Sequence, residues 1–142
     1  MERQSTQEKN SVPFFPAEWH KQSGIQLTWP HKETCWAPIL DEVETCFISL
    51  AKEIAEREKL LIVTPHPDVV KETLLAAKVN IDSVRFSKCN TNDTWARDHG
   101  PITLLRENQP YLLDFMFNGW GLKFASNLDN LITECLFEKQ AL

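Results

Sequence analysis

Between Thr91 and Pro101 the chain reads Thr-Asn-Asp-Thr-Trp-Ala-Arg-Asp-His-Gly-Pro, which sets carboxylates, an amide, an indole, a guanidinium and an imidazole side by side. Such groups cost free energy when buried without partners, so a stretch of this kind lies at the surface or is satisfied around a ligand. The chemistry it suits is the binding of a planar cation. A carboxylate offers two acceptors in the plane of a guanidinium, and an aromatic ring offers its negative face to the flat side. Trp95 and Asp98 reach one pocket if the segment makes a single helical or 3₁₀ turn. Asp98 is then the acceptor and Trp95 the wall. The same residues admit a purely structural reading, in which Arg97 pairs with Asp93 or Asp98 and Trp95 fills a gap in the core. Spacing alone leaves both open.

The elements that must position this stretch follow from periodicity. Residues 1–11 read as a flexible arm, and Val-Pro-Phe-Phe-Pro at 12–16 is too rich in proline for a helix and too apolar for water, so it should lie extended against the body. Apolar runs at 25–29 and 59–64 predict strands, and a third is expected at 82–86. Between them, Pro38 followed by Ile39, Val43, Cys46, Phe47, Leu50 and Ile54 predicts a helix over 38–57 with that face buried. A shorter helix is expected over 67–78. After Gly100-Pro101 come two further strands, 102–106 and 111–117, joined by a hairpin loop Glu107-Asn108-Gln109-Pro110. Gly119 and Gly121 flank Trp120 in a loop that passes close to something. A final amphipathic helix spans 127–138, with Leu128, Leu131, Ile132, Cys135 and Leu136 on one side. The order predicts an α/β domain with a mixed sheet. No strand follows the last helix, so the domain is expected to continue past residue 142.

Composition narrows the function classes. A chain of 142 residues has the size of one domain, and its net charge of -5 with pI near 5.4 gives no basic patch for nucleic acid. No apolar run is long enough to span a bilayer, and Met1 to Asn10 lacks the order of a secretory signal, so a cytoplasmic chain is expected. Cys35, Cys46, Cys89 and Cys135 form no C-x-x-C pair and have no histidine at zinc spacing, which predicts reduced, independent thiols. His20, His31 and His66 likewise lack partner spacing for a metal. No Gly-rich loop links a strand to a helix, which disfavours a nucleotide-binding domain.

Four blocks occur in a fixed order: Phe15-Pro16-Ala17-Glu18-Trp19; Thr28-Trp29-Pro30-His31 with Trp36; Asn92-Asp93-Thr94-Trp95-Ala96-Arg97-Asp98-His99-Gly100-Pro101; and Asp114-Phe115-Met116-Phe117-Asn118-Gly119-Trp120-Gly121. Together they resemble the N-terminal part of the agmatine deiminase and bacterial-type peptidyl-arginine deiminase family, with W-x-R-D-x-G-P as the most specific signature. The resemblance implies a pentein fold, a ring of ββαβ units around a central site, of which this chain holds an incomplete N-terminal part. It implies hydrolysis of a guanidinium to a ureido group with release of ammonia, through a cysteine thiolate, a proton-moving histidine and two carboxylates, with no metal or organic cofactor. Residue by residue, Asp98 matches the first guanidinium-binding carboxylate and Trp95 the aromatic lining of the same pocket. Trp120 stands as a third substrate-binding candidate, while Trp19 and Trp29 read as packing residues. The family's histidine, second carboxylate and nucleophilic cysteine would fall beyond residue 142. His99, one residue from Asp98, reads as a surface or hydrogen-bonded histidine pointing away from the pocket. Leu122 departs from the glycine that often follows Gly121 in the family, which leaves the shape of that loop open. Agmatine is the leading expected substrate; the alternatives are peptidyl-arginine and a non-catalytic guanidinium-binding module. A small-molecule guanidine is the expected partner, and a homo-oligomer is compatible with the resemblance.

Overall fold

The computed structural model describes residues 12–141, so the arm expected over 1–11 lies outside the described residues. Three strands, β1 (Ile25–Thr28), β2 (Leu60–Thr64) and β3 (Val84–Lys88), form one parallel sheet in that order. Parallel neighbours need a crossover, and each crossover here is a helix: α1 (Leu40–Ala55) after β1 and α2 (Pro67–Ala76) after β2. Successive side chains of β2 point to opposite faces. Leu60 and Ile62 join Trp29, Ala51, Ala55, Val70, Leu74 and Val79 in one core, whereas Val63 packs with Cys89, Ile132 and Leu136 in a second. The C-terminal helix, Ile132–Glu138, supplies that second layer. Cover on both faces is why β2 reads as an unbroken apolar run.

The strand expected at 82–86 begins two residues later, because Ile81–Ser83 forms a 3₁₀ turn first. The long helix starts at Leu40 after a 3₁₀ turn at Ala37–Ile39, and its buried face is rotated from the expected one. Ala51 and Ala55 are fully buried while Cys46 and Leu50 are exposed. Small side chains at the centre of the contact let the helix approach the sheet, and Phe47, Ile48 and Ile54 pack around them. Helix α2 ends with Lys78 in the left-handed region, φ 59°; Lys78 N–H donates to Leu75 O and Val79 N–H to Leu74 O. This double closure satisfies the last carbonyls and turns Val79 into the core.

The expected mixed sheet is not formed. Strands β4 (Ile102–Arg106) and β5 (Gln109–Leu113) make a separate antiparallel hairpin. Its loop is the two residues Glu107 and Asn108, both at positive φ (54° and 61°), the conformation whose twist suits a hairpin. Pro110, expected in the loop, therefore lies in the strand. It is tolerated because Leu105, opposite it, turns both its N–H and its C=O toward Phe14, each at 2.9 Å. No bond is exchanged across the Leu105 and Pro110 pair, so the missing proline donor leaves nothing unsatisfied there. A bridge at Phe14 ties the 12–16 segment to the hairpin, but Val12, Phe14 and Phe15 stay exposed, so the segment is not sheltered from water as expected.

The four cysteines are not independent thiols. Cys89, just past β3, is disulfide-bonded to Cys135 of the C-terminal helix, while Cys35 and Cys46 are free. The second core layer brings the end of β3 and that helix together, and sequence spacing carries no trace of this approach. No helix among the described residues is long and apolar enough to cross a membrane.

Candidate functional site

All three strands of the parallel sheet end at the same edge, the edge at which open α/β sheets bind ligands. The loops leaving it converge. His31, beyond β1, contacts Thr91, beyond β3, through Nε2 and Oγ1 at 2.9 Å, and its ring stands edge-on to that of His66, beyond β2. Burial, first of all, lowers the pKa of His31, while Glu33 pulls the other way.

The stretch from Thr91 to Pro101 is anchored here by side-chain bonds to backbone. Asp129 is nearly fully buried, and its Oδ1 accepts from the N–H groups of Asn92 (2.7 Å) and Asp93 (3.3 Å). Asn92 answers with its own Oδ1, which accepts from Leu128 and Asp129 N–H. The two segments thus clasp each other reciprocally. Asp93 Oδ1 accepts from Thr94 N–H at 2.7 Å, and Thr94 Oγ1 accepts from the Trp36 indole N–H at 3.0 Å.

Past Thr94 the chain makes one helical turn, α3 (Ala96–His99), closed by Gly100 N–H donating to Ala96 O at 2.9 Å. A Cβ at Gly100 would run into the Ala96 carbonyl oxygen, so the residue at this position has to be glycine. The turn separates its side chains. Arg97 reaches out to Glu18 at 3.0 Å, not to Asp93 or Asp98, and both partners are largely in solvent. The Asp98 carboxylate is exposed and makes no hydrogen bond or ion pair with the described residues. His99 points into the body, where it is 2% exposed and its Nε2 meets Thr28 Oγ1 at 3.3 Å, so of the two expectations the hydrogen-bonded histidine holds and the surface one does not. Burial is the main cause that lowers its pKa, opposed by the charges of Asp129, Asp98 and Asp93.

Trp95 heads the turn and belongs to an aromatic cluster. Its ring lies 6.1 Å from that of Trp36 and 5.4 Å, edge-on, from that of Trp120, and Trp120 meets Phe117 and Phe124 edge-on as well. Trp95 and Trp120 keep 38% and 43% of their surface in solvent, so the cluster is a wall with an open side, not core filling. The segment that carries Trp120 is unusual. Gly119, Trp120, Gly121 and Leu122 all have positive φ (57°, 54°, 81° and 66°), a left-handed turn. Gly119 is packed against the Phe124 backbone where a Cβ would clash. Asn118 Oδ1 accepts from Gly121 N–H, and Asn130 brackets Phe117 through its amide, both bonds at 2.8 Å. Leu122, where the resemblance expects glycine, therefore holds a conformation costly for a side chain and leaves 86% of its surface exposed.

The structure thus brings Trp95 and Trp120 into contact and stands Asp98 one turn beyond Trp95. Trp29 is core, with its indole N–H on Glu44, but Trp19 is 90% exposed and so is not a packing residue among the described residues. Sequence reasoning missed Asn92, Asp129, Asn130 and Thr94, the residues that shape the loops. The run Asn127-Leu128-Asp129-Asn130 carried the signal, being too polar for the first turn of a buried helix. Two surface hollows of about 550 and 510 Å³ lie elsewhere, one along Glu18–Ser23 and Arg57–Lys59, the other along Met116–Asn118 and Leu122–Asn127; neither is lined by Trp95 or Asp98. None of the free thiols is poised for attack. Cys35 is pushed up to about 11 by burial and by Asp93, and Cys46 is an exposed position on α1. Among the described residues no group of three or more histidines, cysteines or acids could hold a metal.

Comparison with known proteins identifies the family. Residues 14–142 match the sequence pattern of the family described as Porphyromonas-type peptidyl-arginine deiminase. The chain is 31% identical over 128 residues to a provisionally named agmatine deiminase of Legionella pneumophila (strain Paris), covering 88% of this chain and 36% of that protein. With the agmatine deiminase of Stutzerimonas stutzeri (strain A1501) it shares 29% over 113 residues, 78% of this chain and 29% of the relative. Among solved structures, a C. jejuni agmatine deiminase variant with substrate bound superposes with a TM-score of 0.76 at 36% identity, over 93% of this chain and 37% of the other. The chain therefore spans between about a quarter and two fifths of the length of these relatives.

Proposed function

The chain belongs to the Porphyromonas-type peptidyl-arginine deiminase family, and from that membership we infer that it is the guanidinium-binding portion of a guanidine deiminase, with agmatine as the leading substrate and peptidyl-arginine as the alternative that the family's description favours. The observation that carries the reading is the contrast within one helical turn. Arg97, His99 and Asp93 each have a partner inside the protein, whereas Asp98, in the same turn as an exposed indole, has none among the described residues.

In the reaction the Asp98 carboxylate accepts two N–H bonds from the planar cation and fixes its orientation. Trp95 lies along the flat side of the cation, and Trp120, edge-on to Trp95, keeps that indole in place. Attack at the guanidinium carbon calls for a thiolate. Cys89 and Cys135 are paired in a disulfide, burial and Asp93 raise the pKa of the Cys35 thiol, and Cys46 is an exposed position on α1, which supports the reading that the nucleophile, the histidine and the second carboxylate belong to sequence outside these residues. The pentein ring is the architecture this reading implies for the complete enzyme.

The test is titration of the chain with agmatine, and separately with an arginine-containing peptide, followed by tryptophan emission. Saturable binding is expected, with a loss of at least about tenfold for Asp98→Asn, since a charge-assisted pair contributes roughly 1.5–3 kcal/mol. The same substitution in the complete enzyme should abolish most turnover while the fold survives. Equal binding by the Asp98→Asn chain would sink the assignment, and ammonia release by this chain alone would refute the placement of the nucleophile elsewhere.

A further inference from the structure

Three buried side-chain atoms among the described residues lack a hydrogen-bond partner: Gln26 Nε2, His99 Nδ1 and Asp129 Oδ2. The last two belong to groups that act on each other electrostatically, each favouring the charged form of the other against the cost of burial. They also hold the two ends of the Asp98 segment. Asp129 Oδ1 bonds the backbone at Asn92 and Asp93, where the segment arrives, and His99 Nε2 bonds Thr28 at the end of β1, where the turn closes. Thr28, His99 and Asp129 are all at most 2% exposed, so this is an interior scaffold directly behind an exposed carboxylate. A buried polar group left half satisfied is expensive, and its retention calls for a role.

We propose that His99 is a positioning residue for Asp98: the buried imidazole, tied to Thr28 and facing Asp129, fixes the direction of the neighbouring carboxylate and couples its strength as a cation acceptor to the charge on the imidazole. The proposal rests on the reading of Asp98 as a guanidinium acceptor. Consecutive residues of a helical turn diverge by about 100° around the axis, so locking His99 inward locks Asp98 outward. The charged groups facing His99 are Asp129, from the turn before the C-terminal helix, and Asp98 and Asp93 from its own loop; Thr28 on β1 is neutral. A proton on the imidazole is attracted by Asp98 and so competes with an external cation for the same carboxylate. Guanidine binding should therefore weaken as pH falls through the His99 titration.

The experiment uses the intact chain, its His99→Ala variant and its His99→Gln variant, which keeps an amide near Thr28 without a titrating group. The Asp98 carboxyl carbon is followed by NMR against pH, and agmatine affinity is measured at each pH by tryptophan emission. Expected are a second inflection at Asp98 that tracks the His99 ring signals and is missing in His99→Gln, and binding about tenfold weaker in His99→Ala but largely restored in His99→Gln. In His99→Gln the acid-side weakening of binding should also vanish. An Asp98 signal without the second inflection, or His99→Ala affinity equal to that of the parent, would overturn the proposal. If the parent chain binds no agmatine while the Asp98 inflection is present, the guanidine reading fails and the coupling between the two residues stands.

Discussion

Reduction of the Cys89–Cys135 disulfide should weaken the fold by an amount that follows from its place in the chain. The bond closes a loop across 46 residues of sequence. Cross-linking removes conformations from the unfolded ensemble in proportion to the logarithm of loop length, and for this length the entropy term at 25 °C amounts to about 4 kcal/mol. The same bond ties the second core layer to the end of β3, so the native state gives little of that back on reduction. Urea unfolding of the oxidised chain, the chain in excess dithiol and the Cys135→Ser variant measures the quantity directly. With urea m-values of about 1–3 kcal/mol per molar, the midpoint should drop by between about 1 and 4 M. Thiol titration of the denatured, non-reduced chain should find only Cys35 and Cys46. Four reactive thiols in the non-reduced chain, or a midpoint unmoved by dithiol, would refute the reasoning.

Other outcomes follow from single positions. Leu122→Gly should stabilise the chain by about 0.5–1 kcal/mol in the same urea assay, since removing a left-handed leucine relieves more than the added freedom of glycine costs. Gly100→Ala should cost roughly 1–3 kcal/mol, because the new methyl meets the Ala96 carbonyl and the turn must open; agmatine binding should fall with it. Stability should also fall on acidification. His31 and His99 have folded pKa values lowered below the ordinary 6.5 by burial, so the unfolded chain takes up more protons, and stability drops as pH descends from about 6.5 through the folded values. Asp129, raised by burial, acts in the opposite direction between its folded value and the unfolded value of 3.8. Urea midpoints across this range should be lower near pH 5 than near pH 7 and the decline shallower in His99→Gln.

What the sequence disclosed, and what it hid, divides by the range of the interaction. β1 and β2 were legible because each is a short apolar run stopped by a proline, β3 less so because only Val84 and Phe86 mark it, and the Trp95 to Asp98 turn was legible because a local spacing is enough to define it. The clasp between Asn92 and Asp129 was not, since each residue alone reads as an ordinary loop polar group and only the fold sets them face to face. The disulfide was hidden for the same reason. Pro110 misled in another way. A proline argues against a strand unless the direction of its missing donor is known, and that direction depends on Phe14, far away in sequence. The Trp19 expectation failed because burial of an indole depends on what stands opposite it, and nothing among the described residues does.

The same proline has a consequence for how the molecule keeps company. A two-stranded hairpin presents two open edges, each a template on which another extended chain can grow. Here Phe14 occupies the edge of β4, and Pro110 removes a donor from the outer edge of β5 next to the turn, where an incoming strand would require one. The apolar residues Tyr111, Leu112 and Leu113 are exposed on that strand, the composition that would otherwise invite stacking into fibrils. Among the described residues the hairpin thus carries a guard against strand addition, built from one missing proton and one borrowed residue.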